Sequence, residues 1–276
     1  MTWLNRVLGT LVETALSPFQ AFSPIVGLSV VSLVVAIGLL LVTRATSNQR
    51  AIVAVKRRIH AGIFEVRLFN DDVRAIESAL GVLRHNVTYL RLSLAPLPWV
   101  VVPLALLIAH LQFYYGYEGF VPGQSAVLTA HVKEAALPST GAAPAIALEA
   151  PAGLRVETPL LWITGQREAA WRIGIDQPGE YEVIVTLDGQ SVTKRVRVAD
   201  AVGWRTPGRF EAGFLNQVLY PAEPPIDRDA PIAAIEIAYP EREVSFLGYS
   251  VDWMVAFFAM SVALAWMLRS RMGVEL

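Results

Sequence analysis

The residue types best suited to chemistry in this chain are its four histidines, at positions 60, 85, 110 and 131. A structural or catalytic metal centre draws its ligands from short, regular spacings, and these four are scattered. There is no Gly-rich phosphate loop, no Gly-x-Ser-x-Gly elbow and no His-Glu-x-x-His helix. Cysteine is absent, which excludes disulfides, thiolate nucleophiles and cysteine-held metals. Asp71-Asp72 is a paired acid that reads as a solvated turn. Asn86-Val87-Thr88 has the form of a glycosylation triplet, but it falls in a segment placed below on the cytoplasmic side. The expectation is a protein with no catalytic residue, no metal site and no cofactor. Its net charge of −1 gives no case for nucleic acid.

Four polar residues, Ser29, Ser32, His110 and Gln112, instead lie inside long apolar runs, and Arg44 closes the first of these runs. Polar groups at membrane depth face a helix bundle or a wet cavity. Interhelical hydrogen bonding, with His110 reaching Ser29 or Ser32, is the plainer expectation. A functional cavity is the alternative.

These residues are positioned by three spans. The chain is 54% hydrophobic, above the roughly 45–50% usual for soluble domains, and the excess is concentrated in residues 25–43, 97–118 and 250–268. Each run approaches the roughly 20 residues needed to cross a bilayer core. The first is longer than a signal-peptide core and ends in Arg44, so it is expected to be an uncleaved anchor. Lys and Arg crowd the stretch between the first two spans, at Arg44, Arg50, Lys56, Arg57, Arg58, Arg67, Arg74, Arg84 and Arg91. Arg269 and Arg271 follow the third span, and only Arg6 precedes the first. The positive-inside rule then predicts a cytoplasmic-membrane protein with its N-terminus outside and residues 269–276 as a cytoplasmic tail.

Residues 1–24 contain an amphipathic helix that should lie in the outer interface. Residues 44–96 should form a cytoplasmic helical hairpin. In its second half Val73, Ile76, Leu80, Leu83, Val87, Leu90, Leu94 and Leu97 recur in alternating steps of three and four, the pattern of a coiled-coil seam. Ile52, Val55, Ile59, Ile63 and Val66 make a looser stripe in its first half, and Asn70-Asp71-Asp72 supplies the turn. Residues 119–201 read as an extracytoplasmic all-β, Ig-like sandwich. Its clearest signal is Asp188-Gly189 between two alternating runs, with Tyr181, Val183 and Val185 facing the core and Val192, Val196 and Val198 on the returning strand. Residues 202–249 read as a separate membrane-proximal segment, with a short helix within 210–220 and a further strand at 232–239.

This organisation resembles the YidC-type membrane insertase superfamily, in its short three-helix branch of archaea and the endoplasmic reticulum. The segment from TRATSNQRAIVAVKRRI through Asn70-Asp71-Asp72 to LAPLPWVVVPLALLI carries the resemblance, with the Ig-like domain as an insertion. The resemblance implies a non-enzymatic insertase or chaperone whose partners are the lipid bilayer and nascent or small membrane proteins. It implies a client-receiving hairpin, with Lys56, Arg57, Arg58, Arg67 and Arg74 as candidate contacts, and a groove to which Arg44, Ser29, Ser32, His110 and Gln112 are the candidate contributors. Many bacterial members hold an arginine within the groove, whereas Arg44 stands at the cytoplasmic edge of its span. The competing expectation is an envelope scaffold whose β domain binds another envelope protein.

Overall fold

The structure, a computed structural model, describes residues 2–68, 73–138 and 143–274. The turn expected at Asn70-Asp71-Asp72 lies outside the described residues. Along the chain run α1 (Thr2–Leu16), α2 (Pro24–Thr46), α3 (Gln49–Leu68), α4 (Val73–Leu94) and α5 (Leu97–Tyr115). Then come β1 (Ser125–Val132), β2 (Ile146–Glu149), β3 (Leu154–Val156), β4 (Leu161–Ile163), β5 (Glu168–Ile175), β6 (Gly179–Leu187), β7 (Gln190–Val198) and β8 (Gly208–Phe210). The chain closes with α6 (Phe214–Leu219), β9 (Ile232–Ile237), β10 (Glu243–Phe246), β11 (Tyr249–Asp252) and α7 (Trp253–Met272).

Three helices, α2, α5 and α7, are long and apolar enough to cross a membrane. At about 1.5 Å per residue their 23, 19 and 20 residues match the thickness of a hydrocarbon core. The chain divides into two compact units, one of residues Met1–Gly27 with Leu106–Met254 and the other of Leu28–Ala105 with Val255–Leu276.

In the helical unit, α2 buries Leu28, Ser32, Ala36 and Leu40, a ridge at every fourth residue. Ala256 and Phe257 of α7 are equally buried. Small residues on such a ridge let helices approach closely where lipid supplies no hydrophobic drive between them. α3 and α4 form an antiparallel hairpin. The cation of Lys56 lies 5.7 Å from the Tyr89 ring centre, and Ser78 donates to Glu65 at 3.0 Å. Between these two contacts Gly62 faces Val82 so closely that a Cβ on Gly62 would stand 2.5 Å from a Val82 methyl. The inward stripe of α4 is therefore Ser78, Val82, His85 and Tyr89, half-buried against α3.

That packing corrects the expected seam. Leu80, Leu83, Val87, Leu90 and Leu94 are 47–68% exposed, and Leu97 at the start of α5 is exposed as well. The heptad pattern places these leucines on one face, but the hairpin uses the opposite face, where glycine and serine allow tight approach. On α3, Ile52 and Val55 are buried while Ile63, Phe64 and Leu68 are exposed. The side chains of Val73 and Ile76 lie outside the described residues.

The other unit is a β-sandwich-like domain with α1 and the end of α5. One sheet has six strands in the order β3-β5-β1-β9-β8, with β4 also on β5; the other is β2-β6-β7. All paired strands are antiparallel. Strand alternation builds the core: Ala126, Leu128, Ala130 and Val132 from β1 meet Val183, Val185 and Leu187 from β6 and Val192, Val196 and Val198 from β7. Tyr181 packs half-buried at its margin and donates its hydroxyl to Gln177 O at 3.0 Å. The β6–β7 turn is Asp188-Gly189, both at positive φ (51° and 77°), the geometry in which Asp-Gly matches strand twist.

The sheet also runs past residue 201. β9 lies between β1 and β8, and Ile226, Ile232, Ile235, Ile237 and Tyr239 belong to the core. Residues 202–249 are thus not a separate segment but supply two strands of the larger sheet. Local alternation marks a strand at 232–237 without saying with which distant strand it pairs.

Candidate functional site

Ser29, Ser32, His110 and Gln112, inside the membrane-length helices, each have a local partner. In the helical unit, Ser29 Oγ donates to Met260 Sδ at 3.3 Å and Ser32 Oγ to the Phe257 carbonyl at 3.4 Å. Both serines join α2 to α7. In the β unit, His110 is buried, and its Nδ1 lies 2.7 Å from the Leu106 carbonyl one turn earlier. Its Nε2 faces the Asn5 carbonyl of α1 at 3.4 Å and its ring tilts against Trp204. Within its unit His110 thus contacts α1 and the loop after β7. Gln112 accepts from Trp253 Nε1 at 3.0 Å, tying the end of α5 to the start of α7.

Arg44 is exposed in the last turn of α2, where a cation complements the helix dipole. Close to that end of the helical unit, Gln49, Arg50, Val53, Ser270, Gly273 and Val274 line a cavity of about 580 Å³. Arg57, Arg58 and Arg67 are exposed on α3, and Lys56 is engaged with Tyr89. Arg74 lies in α4 with its side chain outside the described residues. The helical unit thus presents an exposed basic face on α3 and an exposed leucine stripe on α4.

In the β unit several charged groups are unusual. Lys194 occupies an inward position of β7 with no exposure. Its ammonium pairs with the Glu223 carboxylate and donates to Thr206 Oγ1 and the Arg195 carbonyl, each at 2.9 Å. Burial pushes the Lys194 ammonium down from its ordinary value, and Glu223 opposes that shift. Arg205 is also buried, and its guanidinium donates to the carbonyls of Ala199, Ala201 and Gly203. Burial lowers its pKa to about 10, which keeps it charged at neutral pH. His131 on β1 lies between Glu168 on β5 (3.3 Å) and Glu236 on β9 (3.4 Å). Chiefly the hydrogen bond to Glu236 holds its pKa above the usual histidine value.

None of these three clusters was singled out from sequence. Lys194 had the best available signal, because the period of two that buries Val192, Val196 and Val198 also points residue 194 inward. Compared with protein-family models and with curated proteins, the chain finds no match.

Proposed function

We propose that the chain is a non-catalytic protein of the cytoplasmic membrane that assists hydrophobic segments into the bilayer, with the α3–α4 hairpin on the cytoplasmic side as the receiving element. The observation that carries this reading is the exposed stripe Leu80, Leu83, Val87, Leu90 and Leu94, continued by Leu97 at the start of a span. An apolar strip leading from a basic hairpin into a membrane helix offers an incoming apolar segment contact before it reaches lipid. Such assistance needs no bond-making residue; it lowers the several kcal/mol that each unsatisfied polar group costs in hydrocarbon. The Lys and Arg excess of the hairpin supports the N-outside, C-inside orientation and an extracytoplasmic placement of the β unit. The likeness to YidC-type insertases points the same way.

Reconstitution tests it. Liposomes containing the protein should insert a small single-span client more efficiently than protein-free liposomes. Leu83→Asp/Leu90→Asp should abolish the gain while leaving the hairpin folded. No gain across several short-tailed clients would reject the reading. A second reading, an anchored envelope scaffold, is favoured by one observation: the Ser29 and Ser32 hydroxyls are used in joining α2 to α7 rather than in lining a groove.

A further inference from the structure

The β unit carries a cationic pocket that the proposed function does not use. It has a volume of about 410 Å³ and lies between α1, α6 and the edge of the sandwich. Three arginines are among its lining residues: Arg6 from α1, Arg195 from β7 and Arg209 from β8. The one carboxylate in the lining, Glu223, is already paired with the buried Lys194 behind it. Among the described residues Arg6 and Arg209 have no carboxylate partner, and Arg195 makes only a loose, exposed contact with Glu182 at 3.6 Å.

Two of the three have unused donors. Arg209 donates through Nε to the Pro224 carbonyl at 2.8 Å and through Nη1 to Thr193 Oγ1 at 2.9 Å, which fixes its plane, while its Nη2 has no partner among the described residues. The Arg6 side chain likewise has no hydrogen-bond or ion-pair partner among the described residues. Planar guanidiniums around one cavity match the tetrahedral oxygens of a phosphate. A second polar element is present. Asn5, 6% exposed, donates through Nδ2 to the Gln217 carbonyl, and its Oδ1 is buried without a partner. An acceptor beside a cation cluster suits a ligand that carries a hydroxyl as well as an anion.

The surroundings say where such a ligand comes from. α1 turns its polar side, Asn5 and Gly9, to the β unit and leaves Trp3, Val7 and Leu11 exposed. α6, joined to α1 through Asn5 and Gln217, leaves Phe214, Leu215 and Leu219 exposed. A pair of helices with apolar residues outward and cations beneath is the arrangement of an interfacial element, whose polar side sits at the depth of lipid headgroups. α1 is also followed within a few residues by α2, one of the membrane-length helices. The adjacent cavity is of mixed charge, lined by Glu13, Glu180 and Glu182 together with Arg195 and Arg197.

We propose that this pocket binds a phosphate ester anion bearing a hydroxyl group, the chemistry of a glycerol-phosphate headgroup. The phosphate oxygens take the Arg6, Arg195 and Arg209 guanidiniums, and the hydroxyl donates to Asn5 Oδ1.

Calorimetric titration of the delipidated full-length protein in micelles tests it, with short-chain phosphatidylglycerol, glycerol 3-phosphate and phosphatidylcholine as separate titrants. Saturable 1:1 binding of phosphatidylglycerol is expected, with phosphatidylcholine weaker because its ammonium meets the arginines. Arg6→Gln/Arg195→Gln should weaken binding by about tenfold or more, and Arg6→Lys, which keeps the charge but not the fork, should fall between. Equal binding of glycerol 3-phosphate would support the site and assign a soluble ligand; binding of the lipid alone would assign the headgroup. Because Arg6 is exposed, Arg6→Gln alone provides a variant whose fold is not at stake. Unchanged affinity in that variant and in the folded double variant, or phosphatidylcholine binding as tightly as phosphatidylglycerol, would overturn the proposal.

Discussion

Lys194 stands where a strand alternating toward a core calls for valine, and the cost of its burial is offset only by specific partners. An ammonium in a low-dielectric interior must be paired and hydrogen-bonded, and Glu223, Thr206 and the Arg195 carbonyl meet that demand. Removing one half of the pair leaves the other charged and buried. Lys194→Met is expected to destabilise the β unit by about 3–5 kcal/mol, as is Glu223→Leu, whereas the double substitution should recover most of the loss. Urea unfolding of the three variants, followed by tryptophan fluorescence, measures this; additive losses in the double variant would mean the two groups are not coupled. The pair was hidden in the sequence because nothing local links residue 194 to a glutamate in a proline-rich loop 29 positions on. Only the phase of β7 carried a hint.

At the scale of the element, the hairpin shows what a heptad pattern conveys and what it leaves open. The steps of three and four from Leu80 to Leu97 correctly state that these residues share a face. They do not state that this face meets α3, and it does not. The face that does meet α3 has Val82 against Gly62 and Ser78 bonded to Glu65, a pairing of small residues that a hydrophobicity pattern overlooks. Val82→Asp should therefore destabilise the hairpin by about 2–4 kcal/mol, while Leu83→Asp should change its stability by no more than about 0.5 kcal/mol. Protease resistance of the hairpin in the purified protein separates the two; the reverse order of sensitivity would put the leucines back in the interface. Elements with a strong local code were more legible. The Asp188-Gly189 turn joins strands that pair through all nine residues of β6, from Gly179 opposite Val198 to Leu187 opposite Gln190. The three membrane-length helices follow directly from apolar run length.

For the whole molecule, the decisive pairing is the one between β1 and β9, whose residues are separated by most of the β unit. A fragment of residues 119–201 contains β1 through β7 but lacks both β8 and β9, and with them the core residues Ile232, Ile235 and Ile237. It is expected to show no cooperative thermal transition, whereas residues 119–246 should melt in one step. Equal cooperativity in the two fragments would mean that the smaller sandwich is complete by itself. This boundary was not legible from sequence because loop-closing partners carry no local signature. The same pairing bears on the protein's synthesis. β1 and β9 are separated by about 100 residues of chain, so at about 5–20 residues per second the free side of β1 waits roughly 5–20 seconds for its neighbour to be synthesised. A strand edge with unpaired amides is an invitation to wrong partners. The nascent chain therefore passes through an interval in which a chaperone that binds strand edges has a substrate, and slow codons between β7 and β9 would lengthen it.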